Sequence, residues 1–181
     1  MTQGRLIAVV GPSGVGKDSV IDALCAARPD LHRVRRVITR PADAGGEEFV
    51  ALSPDAFDAM AAKGLFCLAW EAHGLCYGIR TDTLMRLALG EDCIVNLSRG
   101  VLSESDSLVP DLVVLALTAS PGILRHRLAG RARETEAEIA ARLAREAACI
   151  PAALRVVSIS NDGPLRQTVA RALSALYPAR V

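Results

Sequence analysis

Four runs of the chain are almost wholly apolar and rich in β-branched residues: Arg5-Leu-Ile-Ala-Val-Val10, Cys93-Ile-Val-Asn-Leu97, Leu112-Val-Val-Leu-Ala-Leu117 and Val156-Val-Ser-Ile-Ser160. A run without polar alternation marks a strand covered on both faces, as in a parallel sheet. Helical stretches lie between them. Ser53-Pro54-Asp55 opens one and Ser120-Pro121 another. Each sets a hydroxyl at the N-cap and a proline at the first helical position, where its missing N–H leaves no bond unmade. Gly64 and Gly90 stand where helices should stop. The alternation predicts one α/β domain over residues 1–181, doubly wound around a mainly parallel sheet.

Two segments depart from this rhythm. Between Val34 and Tyr77 the strand candidates are shorter and amphipathic (Arg36-Val-Ile38, Phe49-Val-Ala51, Phe66-Cys-Leu-Ala-Trp70), predicting a small inserted antiparallel subdomain over about residues 34–80. Phe66 and Trp70 read as its core. From Leu124 to Ala148 a long helical stretch is broken at Gly130-Arg131-Ala132-Arg133-Glu134-Thr135, with arginines on both sides. That pattern predicts a hinged helical lid over about residues 127–145.

Composition narrows the function classes. The 181 residues are 51% hydrophobic but only 3% aromatic, and 21 Lys+Arg balance 20 Asp+Glu to a formal charge of +1. Neutrality removes the electrostatic footprint of a nucleic-acid binder, and scarce aromatics remove a stacking platform for single strands. Any anion site must be local. The five cysteines are odd in number and scattered without a C-x-x-C pair, and three histidines offer them little help. Disulfide framework and structural zinc are therefore disfavoured. The first apolar run ends at Val10, too short for a signal segment, and none reaches the roughly 18 residues of a membrane helix. The expectation is a soluble, reduced, cytoplasmic protein acting on a small molecule, without nucleic acid or membrane; a homodimer is compatible with it.

Gly11-Pro12-Ser13-Gly14-Val15-Gly16-Lys17 fits G-x-x-x-x-G-K between the first buried strand and the helical stretch from Asp18 to Ala27. Glycines let the backbone curl with its N–H groups pointing at a phosphate chain, the helix N-terminus adds partial positive charge, and lysine reaches the β and γ oxygens. A nucleotide is expected here, with ATP as donor. Ser or Thr normally follows this lysine and holds Mg²⁺, whereas here Asp18 stands with Ser19 after it. A carboxylate beside a triphosphate is repelled unless a cation lies between, so Asp18 reads as a magnesium ligand or water-holder, against the plainer role of a favourable charge in a helix's first turn.

Phosphoryl transfer asks mainly for positive charge placed on the moving group after water is excluded. Arg127, Arg131, Arg133 and Arg142 lie in the interrupted stretch, and the eleven residues from Arg131 to Arg142 make nearly three helical turns, enough to share a face. Pairing with Glu134, Glu136 and Glu138 is the competing use. Asn96 and Ser98 end a buried strand on the side where α/β folds gather ligands. His73 beside Gly74 is either a hydrogen-bonded structural residue or a ligand contact. Asn161 either caps the last helix or borders a nucleotide.

These residues resemble the guanylate kinase fold in order and spacing: Gly11 to Lys17, Thr39-Arg40-Pro41, Phe57 through His73-Gly74-Leu-Cys-Tyr77-Gly78, Gly130-Arg131 with Arg142, and Ser160-Asn161-Asp162. The resemblance covers nearly the whole chain and implies a core, a lid and an acceptor-binding subdomain. The departures bear on substrate. Asp43 replaces a second arginine, Phe49 a tyrosine, Leu68 and Ala69 stand where a glutamate belongs, and Asn96-Leu97-Ser98 where an Asp-x-Asp belongs. Those carboxylates would read the donor edge of guanine, so their loss leaves the base without a complement.

The variant set, G-P-S-G-x-G-K-D-S with Asn96-Leu-Ser-Arg99 and Asn161-Asp162-Gly163-Pro-Leu-Arg166, is similar to the ribose 1,5-bisphosphate phosphokinases. That resemblance implies ATP- and Mg²⁺-dependent synthesis of 5-phosphoribosyl 1-diphosphate in phosphonate degradation. It implies Lys17, Arg131 and Arg142 as catalytic. Arg127 and Asn161 join residues 11–19 at the nucleotide, and Arg36, Arg40, His73, Tyr77, Asn96, Ser98 and Arg99 serve the acceptor. A nucleoside monophosphate kinase, and a non-catalytic interaction module of the same fold, are the rival readings.

Overall fold

The computed structural model describes residues 3–44, 47–109, 111–129 and 149–178. In chain order the strands are β1 (Leu6–Val10), β2 (His32–Arg33), β3 (Val37–Ile38), β4 (Val50–Ala51), β5 (Phe66–Ala72), β6 (Leu75–Arg80), β7 (Cys93–Asn96), β8 (Leu112–Thr118) and β9 (Arg155–Ser160). The helices are α1 (Lys17–Ala27), α2 (Pro54–Ala62), α3 (Asp82–Ala88), α4 (Leu102–Leu108), α5 (Pro121–Ala129) and α6 (Leu165–Leu176).

The main sheet runs β2-β7-β1-β8-β9, parallel at every pairing. Every residue of β1 is buried, as its unbroken apolar run requires. Because side chains alternate across a strand, Ile7 and Val9 face one core with Val20, Leu24 and Leu115, while Leu6, Ala8 and Val10 face the other with Val95, Leu102 and Val114. Shortening a fully buried member such as Leu115 to alanine costs about 2–5 kcal/mol, since a packed interior closes only partly over the gap. After β1 the chain moves to β2 at one edge; after β7 it moves to β8 across β1. The loops at the carboxyl ends therefore part beside β1, which is where an open parallel sheet holds its ligand.

Capping follows the sequence at Ser53, Gly64 and Gly90. The Ser53 hydroxyl accepts from Ala56 N at 3.2 Å at the start of α2, with Pro54 first in the helix. Gly64 and Gly90, at φ of 64° and 89°, end α2 and α3 in the left-handed region.

The inserted sheet runs β4-β3-β6-β5. It is antiparallel where β6 pairs with β3 and β5, but β3 and β4 pair in parallel, Val37 opposite Val50. This corrects the wholly antiparallel expectation. The long connection from Thr39 to Phe49 lets the chain return in the same direction, which a tight hairpin cannot do. Leu68 and Ile79 carry the insertion onto the core that holds Val95 and Leu97, so the small sheet is seated beside the carboxyl end of β7. Phe66 stacks on buried Phe57 at 4.6 Å but is itself only half-buried and outside both core clusters, which corrects its reading as a core residue. Trp70 packs on the core only in part, and its ring lies against Tyr77 at 5.3 Å, nearly parallel. The lid expected over residues 127–145 lies, beyond Ala129, outside the described residues.

Candidate active site

β1 runs directly into the glycine loop. Gly11, Gly14 and Gly16 all have positive φ, of 152°, 80° and 92°. A side chain at Gly16 would also meet the Asn161 amide at 2.9 Å. The loop is thus cornered by its own backbone and by a side chain behind it. Lys17 bends back over it, its ammonium donating to the Gly11 carbonyl at 2.8 Å and the Pro12 carbonyl at 3.2 Å. Such carbonyl bonds hold the cation over the curl.

A buried polar strut supports the loop from the far side. The Asn161 side-chain amide donates to the Val15 carbonyl at 2.7 Å and its oxygen accepts from the Thr168 hydroxyl, also at 2.7 Å. Arg127 donates to the same Val15 carbonyl at 3.1 Å and to the Asn161 carbonyl at 2.8 Å. Asn161 and Thr168 are 4% and 1% exposed. Arg127 and Asn161, both expected at the nucleotide, therefore lie against the glycine loop and spend these polar atoms on protein contacts. Asp162 fixes the neighbouring turn, accepting from the Ser120 N–H at 2.7 Å and the Ser160 hydroxyl at 2.9 Å, and these bonds hold its carboxyl below the usual range. Thr168 was not singled out in the sequence; a polar residue on the apolar face of the last helix is the signal that points to it.

Asp18, in the first turn of α1, meets Asn96 at the end of β7: the Asn96 amide nitrogen donates to Asp18 Oδ1 at 3.3 Å. Among the described residues Asp18 has no ion pair, and no group of three His, Cys, Asp or Glu is placed to hold a metal. A cation here must take most of its ligands from phosphate and water, which is the habit of Mg²⁺. The residues present fit that ion. Ser98 turns its hydroxyl to the Gly100 N–H at 3.3 Å, capping a short 3-10 turn that contains Arg99, and Ser19 is exposed.

On the small sheet the arginines divide. Arg36 is 9% exposed and its guanidinium is engaged by Glu47, with the Tyr77 ring 5.0 Å away. Arg35 pairs with Glu48 at 3.1 Å on the surface. Arg40 differs from both. Thr39 anchors it, donating its N–H to the Cys76 carbonyl at 3.0 Å and accepting the Cys76 N–H on its hydroxyl at 2.8 Å. The Arg40 guanidinium then lies over the Phe49 ring at 4.3 Å, and its buried Nε and one Nη have no partner among the described residues. Unpaired buried donors of this kind cost about 1–3 kcal/mol each, so an anion arriving there is stabilised. His73 is exposed on the β5–β6 turn with φ of 55°, beside Gly74, where it completes the hairpin. Arg131 and Arg142 lie outside the described residues.

The chain is 43% identical over 179 residues to a ribose 1,5-bisphosphate phosphokinase of Ruegeria, covering 98% of this chain and 94% of that protein. It is 48% identical over 167 residues to one of Pantoea vagans, covering 91% and 93%. A bifunctional ribose 1,5-bisphosphokinase-thymidine phosphorylase of Azorhizobium caulinodans matches at 45% over 179 residues, 97% of this chain and 26% of that one. Among solved structures, a guanylate kinase of Anaplasma phagocytophilum superimposes with a TM-score of 0.73 at 18% identity, over 97% of this chain and 86% of that one. No protein-family model matches the chain.

Proposed function

Since the chain belongs to the ribose 1,5-bisphosphate phosphokinases, a family of phosphotransferases on the guanylate kinase fold, we propose that it moves the γ-phosphoryl group of ATP onto the 1-phosphate of ribose 1,5-bisphosphate. The product is 5-phosphoribosyl 1-diphosphate, and the setting is phosphonate degradation in the cytoplasm. The observation that carries the acceptor reading is Arg40, a half-buried arginine just after β3 whose buried Nε and one Nη have no partner among the described residues.

The nucleophile is a phosphate oxygen that is already anionic, so no side chain has to remove a proton. The chain's task is to bring two polyanions together. Loop N–H groups from Gly11 to Gly16 and the Lys17 ammonium hold the donor phosphates. Asn161 and Arg127 keep that loop in shape through Val15. Asp18 would hold Mg²⁺ from the protein side, and the ion would supply charge neutralisation to the donor phosphates. Arg40 receives a phosphate of the acceptor, and Tyr77, fixed between Trp70 and Arg36, borders it. Glu47 leaves Arg36 little to offer an anion, so its part is to hold Tyr77. Arg131 and Arg142 would bring positive charge to the group in transit, which is worth orders of magnitude in rate in related transfers. With Leu68 and Ala69 in place of a carboxylate, a guanine base loses the anionic acceptor that would meet its donors there.

Release of ADP is measured with ribose 1,5-bisphosphate and GMP side by side, with the product identified by mass. The sugar should be the better acceptor by at least tenfold in kcat/KM; preference for GMP overturns the acceptor assignment, and absence of ATP uptake overturns the kinase.

A further inference from the structure

The phosphate loop and β7 meet at one contact that the reaction above does not explain. P-loop enzymes commonly hold Mg²⁺ between a hydroxyl on the loop, just after the lysine, and an aspartate at the end of a neighbouring strand. In this chain the residue after Lys17 is the carboxylate Asp18, and the residue at the strand end is the neutral amide Asn96. Resting on the Mg²⁺-ATP reading above, we propose that Asp18 and Asn96 exchange the usual places of anion and neutral group, and that Asn96 is the positioning residue for Asp18.

The geometry supports this in three ways. The Asn96 amide nitrogen is 3.3 Å from Asp18 Oδ1, and because a carboxylate only accepts, the amide must present its nitrogen. That leaves Oδ2 of Asp18 with no partner among the described residues. Asn96 is 8% exposed and cannot wander, for it pairs with Val9 in the ladder and the next residue donates its N–H to the Val9 carbonyl at 3.1 Å. Since β1 also launches the loop, the two side chains ride on adjacent strands with a fixed offset. Finally, one anion is kept at the place where the loop chemistry wants one. An aspartate at both positions would set two carboxylates against each other, and a serine with an asparagine would leave no anion to face the cation.

The experiment uses Mn²⁺ as the spectroscopic probe. Electron paramagnetic resonance titration measures Mn²⁺ affinity of the full chain with a non-hydrolysable ATP analogue, and calorimetry in EDTA measures metal-free ATP binding. Wild type is compared with Asp18→Ser, Asn96→Leu and the double variant Asp18→Ser/Asn96→Asp. Expected are a loss of at least tenfold in Mn²⁺ affinity for Asp18→Ser and of about threefold to tenfold for Asn96→Leu, with metal-free ATP binding within twofold of wild type for Asn96→Leu and no weaker than wild type for Asp18→Ser, which sheds a charge that repels the phosphates. The double variant, which restores hydroxyl on the loop and carboxylate on the strand, should return to within about threefold of wild type. A double variant no better than Asp18→Ser overturns the exchange, and Mn²⁺ affinity unmoved in Asn96→Leu overturns the positioning role. Wild type that takes up no ATP at all overturns the kinase reading and this inference with it; wild type that binds both ATP and Mn²⁺ beside indifferent variants overturns this inference alone.

Discussion

Replacing Asn161 with leucine tests whether the strut behind the phosphate loop holds the site. Leucine keeps the branched shape but removes a donor to the Val15 carbonyl and an acceptor for the Thr168 hydroxyl. Val15 keeps its bond from Arg127 at 3.1 Å, so that carbonyl is not orphaned. The Thr168 hydroxyl, 1% exposed, is. One hydrogen bond lost, about 1 kcal/mol, and one buried donor left unpaired, about 1–3 kcal/mol, together come to about 2–4 kcal/mol. For a domain of this size that lowers Tm by about 5–15 °C. Adding Thr168→Val removes the stranded hydroxyl, so the double variant should be more stable than the sum of the singles by about 1–2 kcal/mol. Calorimetric melting with urea titration reads both numbers, and the KM for ATP should rise at least tenfold in Asn161→Leu as the loop loosens. A Tm within about 1 °C of wild type, or strict additivity in the double variant, would refute the strut. A lowered Tm with an unchanged KM for ATP would refute its link to the loop.

Arg40→Met should leave Tm within a few degrees, because two of its buried donors have no partner to lose among the described residues, yet raise the KM for ribose 1,5-bisphosphate about 10–100-fold with the KM for ATP unchanged; initial-rate kinetics on both substrates decide it. Burial alone would push the Asp92 carboxyl up, but hydrogen bonds from the Arg5 side chain and N–H outweigh it and hold the group below its usual value. The stability this pair gives is therefore complete above the unfolded value of about 3.9 and lost as pH falls through the lower native value. Asp92→Asn should cost about 1–2 kcal/mol at pH 7 in urea unfolding, and the difference from wild type should shrink as pH is lowered below about 3.9. Burial pushes the Cys93 thiol up to about 12, whereas Cys149 is exposed; alkylation followed by peptide mass mapping should label Cys149 in the native protein and Cys93 only after unfolding.

The fold and the glycine loop were legible along the chain because their signals are local. A strand covered on both faces must be apolar nearly throughout, and β1 reads so, as do β7 and β8 up to their polar carboxyl-terminal residues. The run Val156–Ser160 reads alike, yet in β9 Val156 is 40% exposed, which corrects the expectation of burial on both faces: β9 is an edge strand of the sheet. A backbone that curls around phosphate needs positive φ, and Gly11, Gly14 and Gly16 announce it at fixed spacing before a helix. The insertion was legible as a break in rhythm, but its β3–β4 pairing was not, because strand direction depends on where a long connection brings the chain back.

Which arginine is open to an anion was likewise invisible in the sequence, where Arg35, Arg36, Arg40 and Arg99 look alike. Only the folded sheet sets Glu47 on Arg36 and Glu48 on Arg35, and leaves Arg40 lying on Phe49 with unused donors. Asn161 reaches Val15 across 146 positions, and Asn96 reaches Asp18 across 78. Periodicity and turn chemistry act over a few residues, so the chain alone determined the layers and the phosphate loop. The state of each polar group depends on partners brought close by packing, and that was decided only when the two sheets closed on their shared core.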